Sequence, residues 1–220
     1  PYYRKFKEKF GIVGQEINNA FIAWGKLKHA PHIYQETGMG SLITDLMRRA
    51  SHTDLALINH PAVRGGVSGI INLDDTRLLF PFGNFVVIKK LSGKTLKKLL
   101  SRNLLFNRRF LQFSGGVVCY EQREKPETVQ ISINGKPLEE NKIYKVAIID
   151  YLAKGAKGKE PLLKRGRNYP TSLYINQLFL EECNASHLLL SVPRRIYQKG
   201  EKRALPPVSR IYFRAVSVSY

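Results

Sequence analysis

The chain has 220 residues, 43% of them hydrophobic, so it can bury a sizeable core, and one globular domain with additional segments is expected. Lysine and arginine number 36 against 17 acidic residues, and the net charge of +19 lies outside the ordinary balance of enzymes that act on small anionic substrates. The excess predicts a polyanionic neighbour, such as RNA, anionic lipid or an acidic protein surface; a basic surface without a binding role is the alternative.

The sequence also argues against several classes of protein. Cys119 and Cys183 lack the spacing of metal ligands, so neither a disulfide framework nor a zinc site is indicated, and no cofactor is expected. No apolar run approaches the roughly 18 residues of a membrane span, and the opening PYYRKFKEKF does not resemble a signal peptide. A glycosylation triplet begins at Asn184, but such triplets often arise by chance. The scarcity of cysteine favours an intracellular setting.

The first segment has a helical periodicity. Its large apolar residues recur at steps of three and four, which predicts an amphipathic helix that packs on the rest of the domain. Gly11, Gly14 and Gly25 interrupt the pattern, so a broken helix or a pair of helices is as compatible with it as a straight helix. The apolar stripe consists of Tyr3, Phe6, Phe10, Val13, Ile17, Phe21 and Trp24.

A helix and a buried strand follow. Residues 41–51 (SLITDLMRRAS) carry apolar side chains at helical spacing, with Ser41 available as the N-cap. Residues 54–59 (DLALIN) form a short apolar run that is typical of a buried strand. A helix followed by a buried strand predicts an α/β layered arrangement.

A second strand and helix are predicted further along. Residues 85–91 (FVVIKKL) are rich in β-branched residues, and the helix after them begins at a Ser92 cap. Lysines occupy the outer face of that helix. Its inner face is expected to bury Leu96, Leu99 and Leu100. Residues 109–122 (RFLQFSGGVVCYEQ) predict a strand interrupted at Gly115-Gly116 by a bulge or a close backbone approach.

The last part of the chain predicts two strands, a helix and a basic tail. Residues 129–133 alternate, Asn134-Gly135 predicts a turn, and residues 143–149 predict a returning strand, so the two strands are expected to form a connected pair. Residues 170–183 predict a helix, and residues 197–220 a basic extension that docks on a partner. The helix is expected to bury Leu173, Ile175, Leu178 and Phe179.

These elements predict an α/β (α+β) fold with a mixed β-sheet and packed helices. The expected division is an entering helical segment (1–34), the domain itself (35–196) and the basic C-terminal extension (197–220).

Six blocks in order carry a family resemblance: ETGMGSLITDLMRRAS, DLALINHPAVRGGV, LLFPFGNFVVIKKLSGKTLKKLL, FLQFSGGVVCYE, VQISINGKPLEENKIYKVAIIDYLAKG and VPRRI. Each is weak alone, but in this order they make residues 3–196 resemble the C-terminal domain of the 5′-nucleotidase family, which includes UDP-sugar hydrolases and cyclic phosphodiesterases. The resemblance implies an α/β unit that recognises nucleotides. In that family a separate N-terminal metallophosphoesterase domain supplies two metal ions and the hydrolytic water.

The ligand cluster of such a two-metal site is not found in this sequence. It would require Asp, His and Asn ligands at short fixed spacings, whereas His29 and His32 are the only close histidine pair and no carboxylate constellation follows them. Two loop histidines are therefore expected rather than a metal site. The chain alone is not expected to hydrolyse nucleotides, and it would belong to a hydrolase only if a metallophosphoesterase domain lies upstream.

The resemblance also implies a set of nucleotide-binding positions. The family stacks the base between two aromatic rings, which fall here on Phe82 and Tyr151, and base stacking is worth about 1–3 kcal/mol per base. The family's Asn-Gly-Gly-Gly-x-Arg turn contacts base or phosphate, and its polar ends remain here as Asn59 and Arg64. The implied nucleotide site is either retained or vestigial, in which case these side chains serve only the fold.

Five positions depart from the family pattern. The three glycines of the turn are His60, Pro61 and Ala62, which restrict the backbone. The family's phosphate-gripping arginine is Gln35, and the aspartate that accepts ribose hydroxyls is Lys157, which can only donate hydrogen bonds. These departures imply weakened nucleoside recognition.

Three functional hypotheses are compatible with these residues. The first is a non-catalytic domain repurposed as a structural or interaction component of a larger assembly, such as a mitochondrial-type ribosome or a microtubule-based assembly. The charge of +19 and the altered pocket favour it. The second is the substrate-recognition domain of a two-domain, metal-dependent nucleotide hydrolase. The third is a stand-alone nucleotide sensor that uses Phe82 and Tyr151.

Overall fold

The computed structural model describes residues 21–22, 36–65, 73–105, 110–121, 127–158, 161–185, 188–189 and 195–199. The strands are β1 (Phe21–Ile22), β2 (Leu55–Asn59), β3 (Phe85–Ser92), β4 (Leu111–Ser114), β5 (Gly116–Glu121), β6 (Glu127–Ile133), β7 (Lys136–Pro137), β8 (Ile143–Ile149), β9 (Tyr169–Tyr174), β10 (Leu188–Leu189) and β11 (Ile196–Gln198). The helices are α1 (Gly38–Ser51), α2 (Leu73–Leu79), α3 (Gly93–Arg102), α4 (Asp150–Ala153), α5 (Pro161–Lys164) and α6 (Ile175–Ala185), with 3-10 turns at His60–Ala62, Asn103–Leu105 and Ala156–Gly158.

A five-stranded mixed sheet carries most of the core. Its strand order is β4-β2-β8-β3-β9, with β2 parallel to β8 and the other neighbours antiparallel. A four-stranded sheet with the order β11-β5-β6-β7 and the pair β1-β10 account for the other strands of the described residues. The predicted α/β class with a mixed sheet and packed helices is confirmed.

Helix α1 is confirmed, but its predicted cap is wrong. The Thr37 side chain accepts a hydrogen bond from the Gly40 amide at 3.1 Å and caps a helix that begins at Gly38. Ser41 lies within the first turn and is buried. Met39 stands three residues before Leu42 and is fully buried, so the helical spacing of apolar residues extends one turn before the predicted start.

Strand β3 and helix α3 match their predictions closely. The Ser92 side chain accepts a hydrogen bond from the Thr95 amide at 3.3 Å, as expected of an N-cap. The inner face of α3 consists of Leu96, Leu99 and Leu100, all fully buried.

The chain changes sheets at Gly115, where a single interrupted strand had been predicted. Strand β4 belongs to the five-stranded sheet and β5 to the four-stranded one. Gly115 has φ +86, and a Cβ there would lie 2.0 Å from the Asp54 carbonyl oxygen. The predicted close backbone approach is therefore confirmed, although it separates two sheets rather than interrupting one strand.

The predicted pairing of residues 129–133 with residues 143–149 is wrong. Strand β6 turns at Asn134-Gly135 and pairs with the short β7, whereas β8 enters the five-stranded sheet between β2 and β3. The residues from Val146 to Ile149 are buried on both faces of β8. That burial requires a central strand covered on both sides, which the small sheet does not provide.

The predicted helix at residues 170–183 is only partly right. Residues 169–174 form the edge strand β9, and the helix begins at Ile175. An edge strand tolerates Pro170 because its amide is not needed for a central ladder. Ile175, Leu178 and Phe179 are buried as predicted, and Leu173 is half-buried.

The two ends of the chain are only partly described. Phe21–Ile22 form a strand paired with Leu188–Leu189, so the predicted helical stripe is wrong there, and the rest of that stripe lies outside the described residues. Strand β11 pairs with β5 across the predicted boundary at residue 196, and the division of the chain into three segments remains a prediction.

Two further sequence expectations bear on the described residues. Among the helices of the ranges above, none is long and apolar enough to cross a membrane. Cys119 is buried and its thiol is free within the described residues, while the side chain of Cys183 lies outside the described part.

Candidate functional site

Asn59 ends strand β2 at the carboxyl edge of the sheet. Its side-chain Oδ1 is buried, and none of the described residues donates a hydrogen bond to it. A buried acceptor left without a donor costs about 1–3 kcal/mol. A ligand donor at this position would therefore be stabilised by an acceptor that is already desolvated.

The turn after Asn59 accommodates its three non-glycine residues without strain. His60, Pro61 and Ala62 form a 3-10 turn in which none has a positive φ. The His60 ring is fully buried, with Nδ1 2.7 Å from the Gln112 side-chain nitrogen and a T-shaped contact with the Phe110 ring. These residues do restrict the backbone, and His60 anchors the turn to the neighbouring strand β4.

Arg64 and Phe82 meet at one side of this turn. The Arg64 amide donates to the Leu79 carbonyl at 3.0 Å, which fixes the turn to the end of α2. Its guanidinium carbon lies 5.8 Å from the centroid of the Phe82 ring, and Phe82 is 58% exposed. The ring thus presents a broad apolar surface beside a permanent positive charge.

A hydrogen bond joins the loops that carry the two predicted stacking residues. The Asn84 side chain donates to Asp150 at 2.8 Å, linking the loop of Phe82 to the start of α4, where Tyr151 follows. Tyr151 is half-buried against the core. Asn84 and Asp150 were not singled out from the sequence, although both lie inside the family blocks PFGN and IIDYL.

The Asp150 carboxylate accepts hydrogen bonds from two side chains, those of Asn84 and Lys154. Burial alone would raise the pKa of its carboxyl, but hydrogen bonds from Asn84 and from Lys154, the latter at 3.0 Å, outweigh burial and lower it below the ordinary value of 3.8. The ionised carboxylate therefore keeps the two loops together at neutral pH.

We expect Asp150→Ala to lower the free energy of unfolding by about 1–3 kcal/mol near pH 7, because Asn84 and Lys154 lose their acceptor. A depressed carboxyl pKa stabilises the fold above the unfolded-state value and is lost as the pH falls through the folded-state value. The difference from the wild type should persist at about pH 5 and shrink only below 3.8. Urea unfolding across this range measures it, and a loss that is equal at every pH contradicts the role of the carboxylate.

In the loop after Tyr151, two residues other than glycine adopt the left-handed backbone conformation that glycine favours. Gly155, Ala156 and Lys157 have φ values of +83, +48 and +54. Left-handed backbone costs a residue with a side chain roughly 1–2 kcal/mol, so the loop shape is maintained against local strain. Lys157 is exposed, and Gln35 lies outside the described residues.

A metal centre is not assembled by the part of the chain that the structure describes. It contains no group of three or more His, Cys, Asp or Glu side chains placed to hold an ion. His29 and His32, the close pair of the sequence, lie outside that part.

The chain matches known proteins both in sequence and in fold. A family profile described as "5'-nucleotidase, C-terminal domain" matches residues 17–165. The 5′-nucleotidase of Mus musculus is 29% identical over 163 residues, covering 60% of this chain and 28% of that protein. The snake venom 5′-nucleotidase of Naja atra is 25% identical over 173 residues, covering 66% and 32%. The matched part thus spans less than a third of either relative.

Two solved structures show the same fold. The 5′-nucleotidase precursor of Thermus thermophilus has a TM-score of 0.74 at 23% identity, covering 91% of this chain and 43% of that one. The NAD nucleotidase of Haemophilus influenzae has a TM-score of 0.72 at 17% identity, covering 90% and 40%. In both cases this chain corresponds to less than half of the longer protein.

Proposed function

Because this chain belongs to the family of 5′-nucleotidase C-terminal domains, as its six sequence blocks predicted, we propose that it is a nucleotide-recognition domain. The proposal places the base against Phe82 and Tyr151 and the polar groups of the ligand against Asn59 and Arg64. The observation that carries it is the exposed Phe82 ring, held beside Arg64 on a loop tied to that of Tyr151.

An exposed aromatic ring at a fixed position supports ligand binding better than it supports folding. Phe82 leaves more than half of its surface in water and therefore contributes little to the core. A base that covers the ring would remove apolar surface from water and bring phosphate within reach of the Arg64 guanidinium. The desolvated Asn59 oxygen supplies an acceptor for an exocyclic amine or a hydroxyl of the ligand.

Lys157 changes the kind of nucleotide that this site would prefer. An ammonium cannot accept the ribose hydroxyl hydrogens that the family's aspartate accepts. It can pair with phosphate, so ligands with more phosphate charge should lose less affinity than a free nucleoside. We therefore propose weak nucleoside binding and a preference for phosphorylated ligands.

Hydrolysis by the whole protein is a further part of the proposal. The matched part of this chain spans less than a third of the Mus musculus and Naja atra relatives, and the family resemblance assigns the two-metal chemistry to a separate domain. The substrate-recognition role in a two-domain hydrolase predicts a natural protein far longer than 220 residues. Mass spectrometry of the protein from its native source tests this directly.

A non-catalytic interaction role is the second candidate, and the charge of +19 is the observation that favours it. The matched relatives are nucleotidases and give no support for a ribosomal or microtubule role. A stand-alone nucleotide sensor would use the same pocket as the first proposal, so the binding test below applies to it equally.

We expect Phe82→Ala to weaken binding of AMP by roughly 5- to 150-fold, which corresponds to the stacking energy of one base. Isothermal titration calorimetry of AMP and adenosine measures it.

Lys157→Asp should strengthen adenosine binding about tenfold or more, since a carboxylate can accept both ribose hydroxyls. The same calorimetry measures this gain.

Leu78→Ala provides the control for the Phe82 variant. Leu78 is an apolar residue of α2 that is 72% exposed, and its removal should leave both titrations unchanged. If Phe82→Ala and Leu78→Ala bind AMP equally well, or if no variant binds either ligand, the proposed pocket does not recognise nucleotides.

A further inference from the structure

A buried lysine holds the loop that precedes the edge strand β9. The Lys89 side chain is fully buried, and its Nζ donates to the Asn168 side-chain oxygen at 2.7 Å and to the Gly166 carbonyl at 3.5 Å. Burial lowers the pKa of this amine. Because Lys89 belongs to the rigid strand β3, Arg165 and Arg167 are presented to solvent from an anchored loop rather than from a free one.

Tyr169 provides a ring at the centre of these charges. It is the first residue of β9, is 37% exposed, and has the Arg167 guanidinium carbon at 5.2 Å and the Lys90 Nζ at 6.0 Å from its centroid. Strand β9 lies at one edge of the five-stranded sheet in the described part of the chain, and the exposed fraction of Tyr169 leaves its ring accessible to a ligand.

Within the ranges that the structure describes, the cations beside this ring and those of the preceding loop are not paired with a carboxylate. Among the described residues, none of Lys90, Lys164, Arg165 and Arg167 forms an ion pair. Some other exposed cations do contact a carboxylate, whereas Lys98 and Lys136 also lack an ion pair within the described part, so the Tyr169 ring is what distinguishes this cluster. The paired cations are Arg49, Arg77, Lys97, Lys142, Lys154 and Lys199. Tyr169 and the two cations beside its ring, Lys90 and Arg167, are called here the β9 surface.

We propose that the β9 surface binds single-stranded nucleic acid, with a base stacked on Tyr169 and the flanking phosphates paired with Lys90 and Arg167. A base that covers the ring displaces one cation, and the charge thus released is available to the adjacent phosphate. Interleaved aromatic rings and cations are the arrangement that recognises single strands, whereas a duplex keeps its bases stacked on each other. Charged residues on an edge strand also prevent edge-to-edge pairing with a strand of another molecule, but that role does not require an exposed tyrosine ring.

Fluorescence anisotropy with a labelled oligouridylate of about 12 nucleotides tests the proposal on the full chain. We expect Tyr169→Ala to weaken binding by roughly 5- to 150-fold and Tyr169→Phe to bind as the wild type does, because the phenylalanine ring still stacks. The double variant Lys90→Gln/Arg167→Gln should lower the slope of log K against log salt by about 1.4, at about 0.7 per phosphate contact.

Lys98→Gln/Lys136→Gln is the matched control for the double variant. Both lysines are exposed and also lack an ion pair within the described part, so the control removes the same net charge from elsewhere. An equal loss in both double variants would mean diffuse attraction to a basic protein and would overturn the proposal. So would absence of oligouridylate binding, or heparin or polyglutamate binding that competes fully while Tyr169→Ala has no effect.

The proposal is independent of the nucleotide pocket. Tyr169→Ala should leave AMP titrations unchanged. Failure of nucleotide binding at the pocket and failure of oligouridylate binding at the β9 surface can therefore be told apart. A circular dichroism melt of each variant establishes that it is folded, since substitutions at an exposed edge position cost less than about 1 kcal/mol in β-propensity.

Discussion

Gly115→Ala should lower the free energy of unfolding by about 2–5 kcal/mol, a large part of the stability of an ordinary domain. Two costs contribute. A φ of +86 is left-handed backbone that disfavours alanine, and the new Cβ would lie 2.0 Å from the Asp54 carbonyl oxygen. That oxygen belongs to backbone at the start of β2, so it cannot move aside without shifting the strand. Urea unfolding, with the midpoint and slope compared between variants, measures the loss.

Gly135→Ala separates the two costs. Gly135 has a similar φ of +77 in the turn between β6 and β7, but a Cβ there would meet nothing within 4 Å. Its replacement should therefore cost only the backbone penalty of about 1–2 kcal/mol. If Gly115→Ala is no more destabilising than Gly135→Ala, the junction between the two sheets is not tightly packed.

Local signals in the sequence were sufficient for elements whose stability is local. Strand β3 and helix α3 follow from β-branched residues, a Ser92 cap and leucines at helical spacing, and all three appear in the structure. The family resemblance predicts Phe82 and Arg64 as site positions; the structure places the Arg64 guanidinium 5.8 Å from the Phe82 ring centroid, and their role in binding stays a prediction.

The sheet assignment of β8 could not be read from the sequence. An alternating run after an Asn-Gly turn predicts a local hairpin, but the connection from Leu138 to Lys142 is long enough to carry the chain to another sheet. What decides the outcome is the burial of both faces of β8 against elements distant in sequence. Long-range packing of this kind leaves no mark in a window of a few residues.

The contacts of buried polar and charged side chains could not be predicted from the sequence either. Lys89 follows an apolar run next to Lys90 and gives no sign that one of the two is fully buried and the other exposed. The Asn84–Asp150 bond joins residues 66 positions apart, so only the folded chain shows that it supports the candidate site. Polar pairs of this type are specified by three-dimensional proximity rather than by periodicity.

Arg195→Ala should destabilise the protein about as much as Gly115→Ala does, with a loss of about 3–5 kcal/mol in the free energy of unfolding. The Arg195 side chain is buried and donates to the Phe113 carbonyl at 2.9 Å and to Asp45 at 2.6 Å. Asp45 also accepts from the Ser114 hydroxyl. Removal of the guanidinium leaves the Asp45 carboxylate without its cation and the Phe113 carbonyl without this donor.

Two controls test whether the loss in Arg195→Ala comes from the burial of its ion pair: the exposed-pair variant Lys199→Ala and a double-mutant cycle with Asp45. Lys199 pairs with Glu121 at 3.0 Å on the same C-terminal segment, but the side chains are 64% and 34% exposed, so the loss of this surface pair should cost only about 0–1 kcal/mol. In an Asp45→Asn background no carboxylate is left uncompensated, and Arg195→Ala should then cost less than it does alone. Equal losses for Arg195 and Lys199, or strict additivity in the cycle, contradict a buried ion pair that fastens β11 to α1.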